Sequence, residues 1–383
     1  MFLTIIKYII LALFILNIPS VTLVYVSPVI SNLLSILSFL LLIGYYTLIK
    51  KTKLNLWMIV IGLLFFSISS LSDSRYIPIE NRDFFMYILK YFIMALCGYE
   101  LLKNTSSREM TFFLFIGAMT IILQIFLFNN PLIDYGRYSG FYLNPNTGGF
   151  ICLIGYGMSF ASQNKKFRLI LQIIFTVMGL LTFSRTFIVL WLFINLISVK
   201  IDFKNIRIFL YGFGLLTIFI IFSEFLPVQN PRLEQIKALI NGEQVQTAEI
   251  NEDSRTETWS LYYDALFDRP FLGSGFNSFS GNTHISPVGV HNSYLKIWGE
   301  AGILVFILFL AMYIIMLWDT FKLFSTAPHL FLIAIALVLF LTTNHNYFET
   351  GYILFISMWI QAEISKNIIE LSTQKIISEK LQA

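Results

Sequence analysis

Apolar runs long enough to form membrane-crossing helices recur along this chain, separated by short polar breaks. A helix needs about 20 mostly apolar residues to cross the roughly 30 Å hydrocarbon layer, because backbone groups in lipid must be satisfied internally. On that rule the sequence predicts about twelve spans. They lie near Phe2 to Ile18, Val29 to Ile49, Leu54 to Leu71, Phe84 to Leu102, Met110 to Phe128, Gly148 to Ser162, Leu169 to Phe183, Thr186 to Val199, Ile206 to Phe222, Gly302 to Trp318, Leu330 to Thr343 and Tyr352 to Ile364. The first contains Lys7 and lacks a small-x-small cleavage pattern, so it reads as a span and not as a signal peptide. The expected fold is all-α, a single polytopic helical bundle over residues 1–383 with one long extramembrane loop, 223–301, between the ninth and tenth spans.

Composition agrees with this pattern. Of 383 residues, 57% are apolar and 13% charged, against roughly 25% charged in a soluble domain. An ordinary soluble enzyme, a disordered chain and a disulfide-stapled scaffold are excluded. The net charge of +4 and the absence of a basic run interleaved with aromatics give no footing for nucleic acid. Cys97 and Cys152 sit in apolar stretches without metal-type spacing and read as small core residues.

Basic residues set the orientation, since cytoplasmic loops collect Lys and Arg. With both termini inside, the inner segments carry Lys7, Lys50, Lys51, Lys103, Lys165, Lys166, Lys200, Lys204, Lys322 and Lys366 among others, mostly lysine. The outer segments carry Arg75, Arg82, Arg137, Arg185, Arg232, Lys237, Arg255, Arg269 and Lys296, mostly arginine. A guanidinium grips phosphate or carboxylate with two parallel hydrogen bonds, whereas an ammonium is a hydrated point charge. The outer face therefore reads as an anion-holding surface. Ordinary surface ion pairs are the alternative.

A tight hairpin around Ser184 and Arg185 fits the charge rule better than one long helix from Leu169 to Val199. Each arm is then about 15 residues, or roughly 22 Å, which places Arg185 below the outer boundary. A charge there is a functional-site candidate by default; snorkelling to the headgroups is the bland alternative. In the long loop, Asn230-Pro231 opens a short amphipathic helix stopped by Gly242, and Ser254-Arg255-Thr256-Glu257 has capping-box spacing ahead of Trp259, Tyr262, Tyr263, Leu266 and Phe267. Arg255 falls in that first turn, where a pair with Glu252, Asp253 or Asp264 is the competing explanation. Gly273-Ser274-Gly275 reads as a turn returning the chain to the bilayer. His291 lies at the outer mouth of the tenth span. His345 stands at an outer helix junction between Asn344 and Asn346, and His329 on the inner side.

In series these pieces resemble the family of O-antigen polymerases and O-antigen ligases. The resembling elements are Arg137 with Gly140-Phe141-Tyr142-Leu143-Asn144-Pro145-Asn146, Ser184-Arg185-Thr186, Asp253-Ser254-Arg255 with Trp259, Pro270 with Gly273-Ser274-Gly275, and His291-Asn292-Ser293-Tyr294 with Glu300-Ala301-Gly302. The resemblance implies glycan transfer from undecaprenyl pyrophosphate on the periplasmic face of the bacterial inner membrane, inverting at the anomeric carbon and needing no metal or cofactor. The implied partners are the undecaprenyl-pyrophosphate-linked oligosaccharide, membrane lipid and a chain-length regulator protein. Arg185 and Arg255 would stabilise charge on the departing pyrophosphate, and His291 would accept the attacking hydroxyl's proton. Arg137, Asn144, Asn146, Asn292 and Tyr294 are the expected substrate-binding residues, although Asn144-Pro145-Asn146 reads equally well as a turn opening a helix. The Gly140 to Asn146 stretch and the form of His291 to Tyr294 favour a polymerase over a ligase acting on lipid A core. A flippase for lipid-linked sugars is the alternative from another class, but the two halves show no evident repeat.

Overall fold

The computed structural model describes residues 1–52, 54–71, 81–128, 137–222 and 255–382. Arg75, Arg232, Lys237, the expected helix from Asn230 to Gly242, and Glu252 to Ser254 lie outside them. The helices are α1 (Phe2–Ile15), α2 (Ile18–Tyr25), α3 (Pro28–Leu48), α4 (Leu56–Ser69), α5 (Asn81–Ile93), continued by a π turn (Met94–Gly98) into α6 (Tyr99–Lys103), then α7 (Ser107–Leu127), α8 (Pro145–Ser159), α9 (Lys165–Leu181), α10 (Arg185–Ser198) and α11 (Ile206–Phe222). After the undescribed stretch come α12 (Arg255–Ser260), α13 (Tyr263–Asp268), α14 (Ser293–Lys322), α15 (Pro328–Phe340) and α16 (Gly351–Gln382). Among the described residues the sole β-type pairing is an isolated bridge between Gly281 and Val288.

Every apolar run read from the sequence falls on a helix, and the protein is a helical membrane protein. Full spanning length is rarer. Pro28–Leu48, Asp83–Lys103, Ser107–Leu127 and Ser293–Lys322 are long and apolar enough to cross, and α1 with α2, bent by 56°, makes a fifth if counted as one span. The figure of about twelve spans therefore overstates what helix length alone supports. The bend has a local cause: Asn17 adopts a left-handed φ of 55°, and Pro19 stands in the first turn of α2.

One reason for the short helices is that protein replaces lipid around them. In α8 every residue from Pro145 to Ser159 except Asn146 is buried, so α8 forms the centre of the bundle. Its glycines permit that close packing: a Cβ on Gly155 would lie 2.1 Å from the Phe175 ring of α9, and one on Gly157 2.7 Å from Ile333 of α15. The expected hairpin at Ser184 is present. Trp191 Nε1 donates to Thr176 Oγ1 at 3.0 Å, and a Cβ on Gly179 would meet the Phe187 ring, which pairs α9 and α10 antiparallel. Phe183 makes the turn at φ 50°.

Two expectations are corrected. The apolar face from Arg255 to Phe267 is not one helix but the two short ones α12 and α13. They break at Tyr262, which is buried with its hydroxyl donating to Val288 O at 2.5 Å and its ring 4.7 Å from Phe279. The tenth span also starts earlier than Gly302: α14 begins at Ser293 and kinks at Gly302, whose φ is 80°.

The helix polarity sorts the chemistry into two ends. The end carrying the starts of α8, α10, α14 and α16 holds Arg137, Arg185, His291 and His345; the other holds Lys7, Lys103, Arg108, Lys165 and Lys166. At the lysine-bearing end Lys7 pairs with Glu109 at 2.7 Å and donates to Asn104 O at 2.8 Å. Trp359 Nε1 donates to Thr105 O at 3.0 Å.

Candidate functional site

At the arginine-bearing end, the loop ahead of α8 is pinned to α7. Gln124 Oε1 accepts from Ser139 N and Gly140 N, each at 2.7 Å, and Thr120 Oγ1 accepts from Phe141 N at 3.0 Å. Gly140 must be glycine here: its φ is 57°, and a Cβ would stand 2.3 Å from Thr120 Oγ1. Tyr142 is buried and donates to Ile15 O at 3.0 Å. This anchoring delivers Arg137 and Asn146 to one place. Arg137 Nη2 donates to Asn146 Oδ1 at 3.3 Å, and Ser184 Oγ donates to the same oxygen at 2.9 Å. Ser184 also caps α10, accepting from Phe187 N at 3.2 Å, so Arg185 is the first residue of that helix and is exposed. Arg137, Asn146 and Ser184 thus form one group, with Arg185 the next residue along α10. Asn144 plays a different part: its side chain caps α8 through Asn146 N at 2.9 Å, with Pro145 at the first helical position.

The second group is built on the kink of α14. The loop after Pro270 docks on carbonyls there, with Ser274 N donating to Gly299 O at 2.6 Å and Gly275 N to Glu300 O at 3.2 Å. Pro270 O in turn accepts from Ile303 N at 2.8 Å and Trp298 Nε1 at 3.1 Å. A Cβ on Gly302 would fall 1.9 Å from Phe271 O, so the Pro270 to Gly275 and Glu300 to Gly302 motifs are two faces of one contact. Buried Glu300 then holds the chain further on, its Oε1 accepting from Phe279 N at 3.1 Å. Phe279 O accepts from Val290 N at 3.1 Å, and the next residue is His291.

His291 has a φ of 49°, a left-handed conformation that is costly for a residue with a Cβ and is concentrated at functional sites. Its ring stands 4.7 Å from that of His345, at 73°. The loop holding His345 is fixed by Ser293, which donates through N to Leu341 O at 2.8 Å and through Oγ to Asn344 O at 2.6 Å. Burial first, then the charges of Lys296, His291 and Arg255, push the His345 imidazole down to about 2. His345 is therefore neutral at any working pH, and Arg255 is near enough for its charge to bear on it. Lys296, itself buried, pairs with Glu349 at 2.9 Å.

Asn292 and Tyr294 are tied into the scaffold. Asn292 is buried and caps α14, accepting from Tyr294 N at 3.0 Å and Leu295 N at 3.2 Å. Tyr294 reaches across to α15, its hydroxyl donating to Val338 O at 3.1 Å. The two groups meet through α15: Phe150, one turn beyond Asn146, stacks on Phe340 at 4.0 Å, and Leu341 follows as the acceptor for Ser293. Sequence reasoning did not select His345 as a site residue. The sequence placed it only at an outer helix junction between Asn344 and Asn346, and no spacing in the chain ties position 345 to position 291.

This end of the bundle thus sets a pair of imidazoles and several guanidinium groups around the starts of α8, α10 and α14. Such a set can hold a diphosphate and take up a proton. Residues 170–310 match the family model described as O-antigen ligase. A search of the curated proteins finds no match. The matched stretch includes Ser184, Arg185, Arg255, His291 and the Gly302 kink, and excludes Arg137, Asn146 and His345. Residues 170–310, and with them the hairpin at Ser184, Arg255 and the kink of α14, are thus similar to the O-antigen ligase family.

Proposed function

We propose that this protein is an O-antigen polymerase of the bacterial inner membrane. It transfers the growing glycan from undecaprenyl pyrophosphate to a lipid-linked repeat unit at its arginine-bearing, periplasmic end. The chain crosses the bilayer about twelve times in this reading, with the lysine-bearing end in the cytoplasm. A hydroxyl of the acceptor sugar attacks the anomeric carbon of the donor, and the bond from that carbon to the pyrophosphate oxygen breaks, with inversion and without a metal. The hydroxyl proton passes to His291, and the electron pair leaves with undecaprenyl pyrophosphate. Arg185 and Arg255 stabilise the charge that develops there. Arg137 and Asn146 bind the pyrophosphate or an adjacent sugar, and a chain-length regulator protein is the expected partner.

The observation that carries this reading is the contact between His291 and His345, 4.7 Å apart, where the charge of Arg255 acts on His345, at the same end as the Arg137, Asn146 and Ser184 group. A neutral His345 beside His291 leaves one imidazole of the pair to take up the proton. The family match covers ligases as well as polymerases, and the second reading is a ligase that passes finished glycan to lipid A core. Deleting the protein in its own cell separates the two. Loss of a polymerase leaves single repeat units on the core, whereas loss of a ligase leaves lipid-linked polymer accumulating behind a bare core.

A further inference from the structure

At the lysine-bearing end, opposite the histidine pair, a cavity of about 830 Å³ opens between the start of α7, the end of α8 and the start of α9. That volume lies within the roughly 300–1,000 Å³ of small-ligand sites. Its lining is divided. Phe112, Phe115, Phe167, Ile170, Leu171 and Ile174 form an apolar wall, and Ser107, Arg108, Ser162, Gln163 and Asn164 form a polar rim. Phe112, Phe167 and Ile170 are also exposed, so in a membrane protein this wall opens sideways onto lipid.

The rim is cationic. Arg108 is exposed on the first turn of α7, and Lys165 and Lys166 are exposed on the first turn of α9. Both helices point their N-terminal dipoles at this rim, which adds to the field favouring an anion. Glu109, next to Arg108 in sequence, offsets little of it, because its carboxylate is engaged by Lys7 at 2.7 Å and by Ser106 N at 2.8 Å. Arg168 is turned back onto Ser162 O, donating from Nε at 3.2 Å and Nη2 at 2.8 Å. This leaves Arg108 as the charged residue of the cavity's own lining, with the exposed Lys165 and Lys166 next in sequence to Asn164 of the rim.

We propose that this cavity holds one anionic phospholipid, with an acyl chain against the aromatic and aliphatic wall and its headgroup phosphate at Arg108 and the starts of α7 and α9. The charge complementarity selects an anionic headgroup over a zwitterionic one. A polyprenyl pyrophosphate bound for reaction at His291 would carry its phosphates to the other end of the bundle, so this site is separate from the substrate path.

The test uses the full-length protein purified in detergent and exposed to equal amounts of phosphatidylglycerol and phosphatidylcholine, with adducts read by native mass spectrometry. Phosphatidylglycerol is retained in preference, and Arg108→Gln reduces that retention about fivefold while leaving phosphatidylcholine unchanged. A phosphatidylglycerol carrying a photoreactive acyl chain marks Phe112, Phe167 and Ile170 in the unaltered protein, and Ile174→Trp, which narrows the cavity at its apolar wall, weakens the marks. Equal retention of the two lipids, marks spread evenly around the bundle, or displacement by undecaprenyl phosphate would each overturn the proposal.

Discussion

The imidazole of His345 stands edge-on to that of His291, with ring centroids 4.7 Å apart and planes at 73°. The two come from opposite ends of the α14–α15 hairpin, and Ser293 joins those ends by bonds to Leu341 O and Asn344 O. His291→Ala should lower transfer by about 10²-fold or more, the range for a lost general base, while the variant still reaches the membrane. His345→Ala should lower kcat and shift the lower limb of the pH–rate profile. A merely structural His345 would leave that limb in place, which the kcat profile from pH 5 to 8 checks.

The neutral state of His345 also links stability to pH. Its folded pKa of about 2 lies below the roughly 6.5 of an unfolded histidine, so the unfolded chain binds the extra proton. Stability is therefore intact above about pH 6.5 and falls below it, by at most about 2 kcal/mol down to pH 5. The thermal midpoint in detergent should drop over that window, and His345→Gln should flatten the drop.

Ser184 has two tasks, capping α10 and holding Asn146. Ser184→Ala should cost about 1 kcal/mol from the lost cap and free Asn146 and Arg137 to reorient. The expected kinetic effect is a raised KM for the lipid-linked donor. Ser184→Thr should retain the cap and restore most of the affinity.

Gly302 tests the strap that positions His291. Gly302→Ala forces a Cβ into Phe271 O at 1.9 Å at a positive φ of 80° with extended ψ, a region essentially reserved for glycine, which costs about 1–3 kcal/mol before the steric clash is added. Reduced thermal stability and activity should appear together. In contrast, Glu349→Gln removes the ion-pair partner of buried Lys296 and leaves Glu300 as its remaining counter-charge, read as a lower thermal midpoint in detergent.

The helices were legible because lipid imposes a simple length and composition rule, and each apolar run from Phe2 to Ile364 falls on one. The hairpin at Ser184 was legible for a related reason, as charge asymmetry demanded a reversal there. Spanning lengths were not legible: α8 is buried by neighbours that only the folded bundle supplies. Helix starts were legible where a capping residue stands, as at Ser184 and Asn292. Asn292 and Tyr294 show the limit of such reading. Their residue types suit sugar binding, yet their bonds go to Leu295 N and Val338 O, which no local pattern announces. His345 was missed for the same reason, since its relation to His291 is made by the α14–α15 hairpin.

The most direct measurement incubates the purified protein in detergent, with chelator, with a synthetic undecaprenyl-pyrophosphate-linked repeat unit, and separates the products by size. A ladder of extended glycans that disappears in Arg185→Ala, Arg255→Ala and His291→Ala is the predicted result. A folded protein that yields no transfer, or a His291→Ala variant that builds the same ladder at full rate, would contradict it.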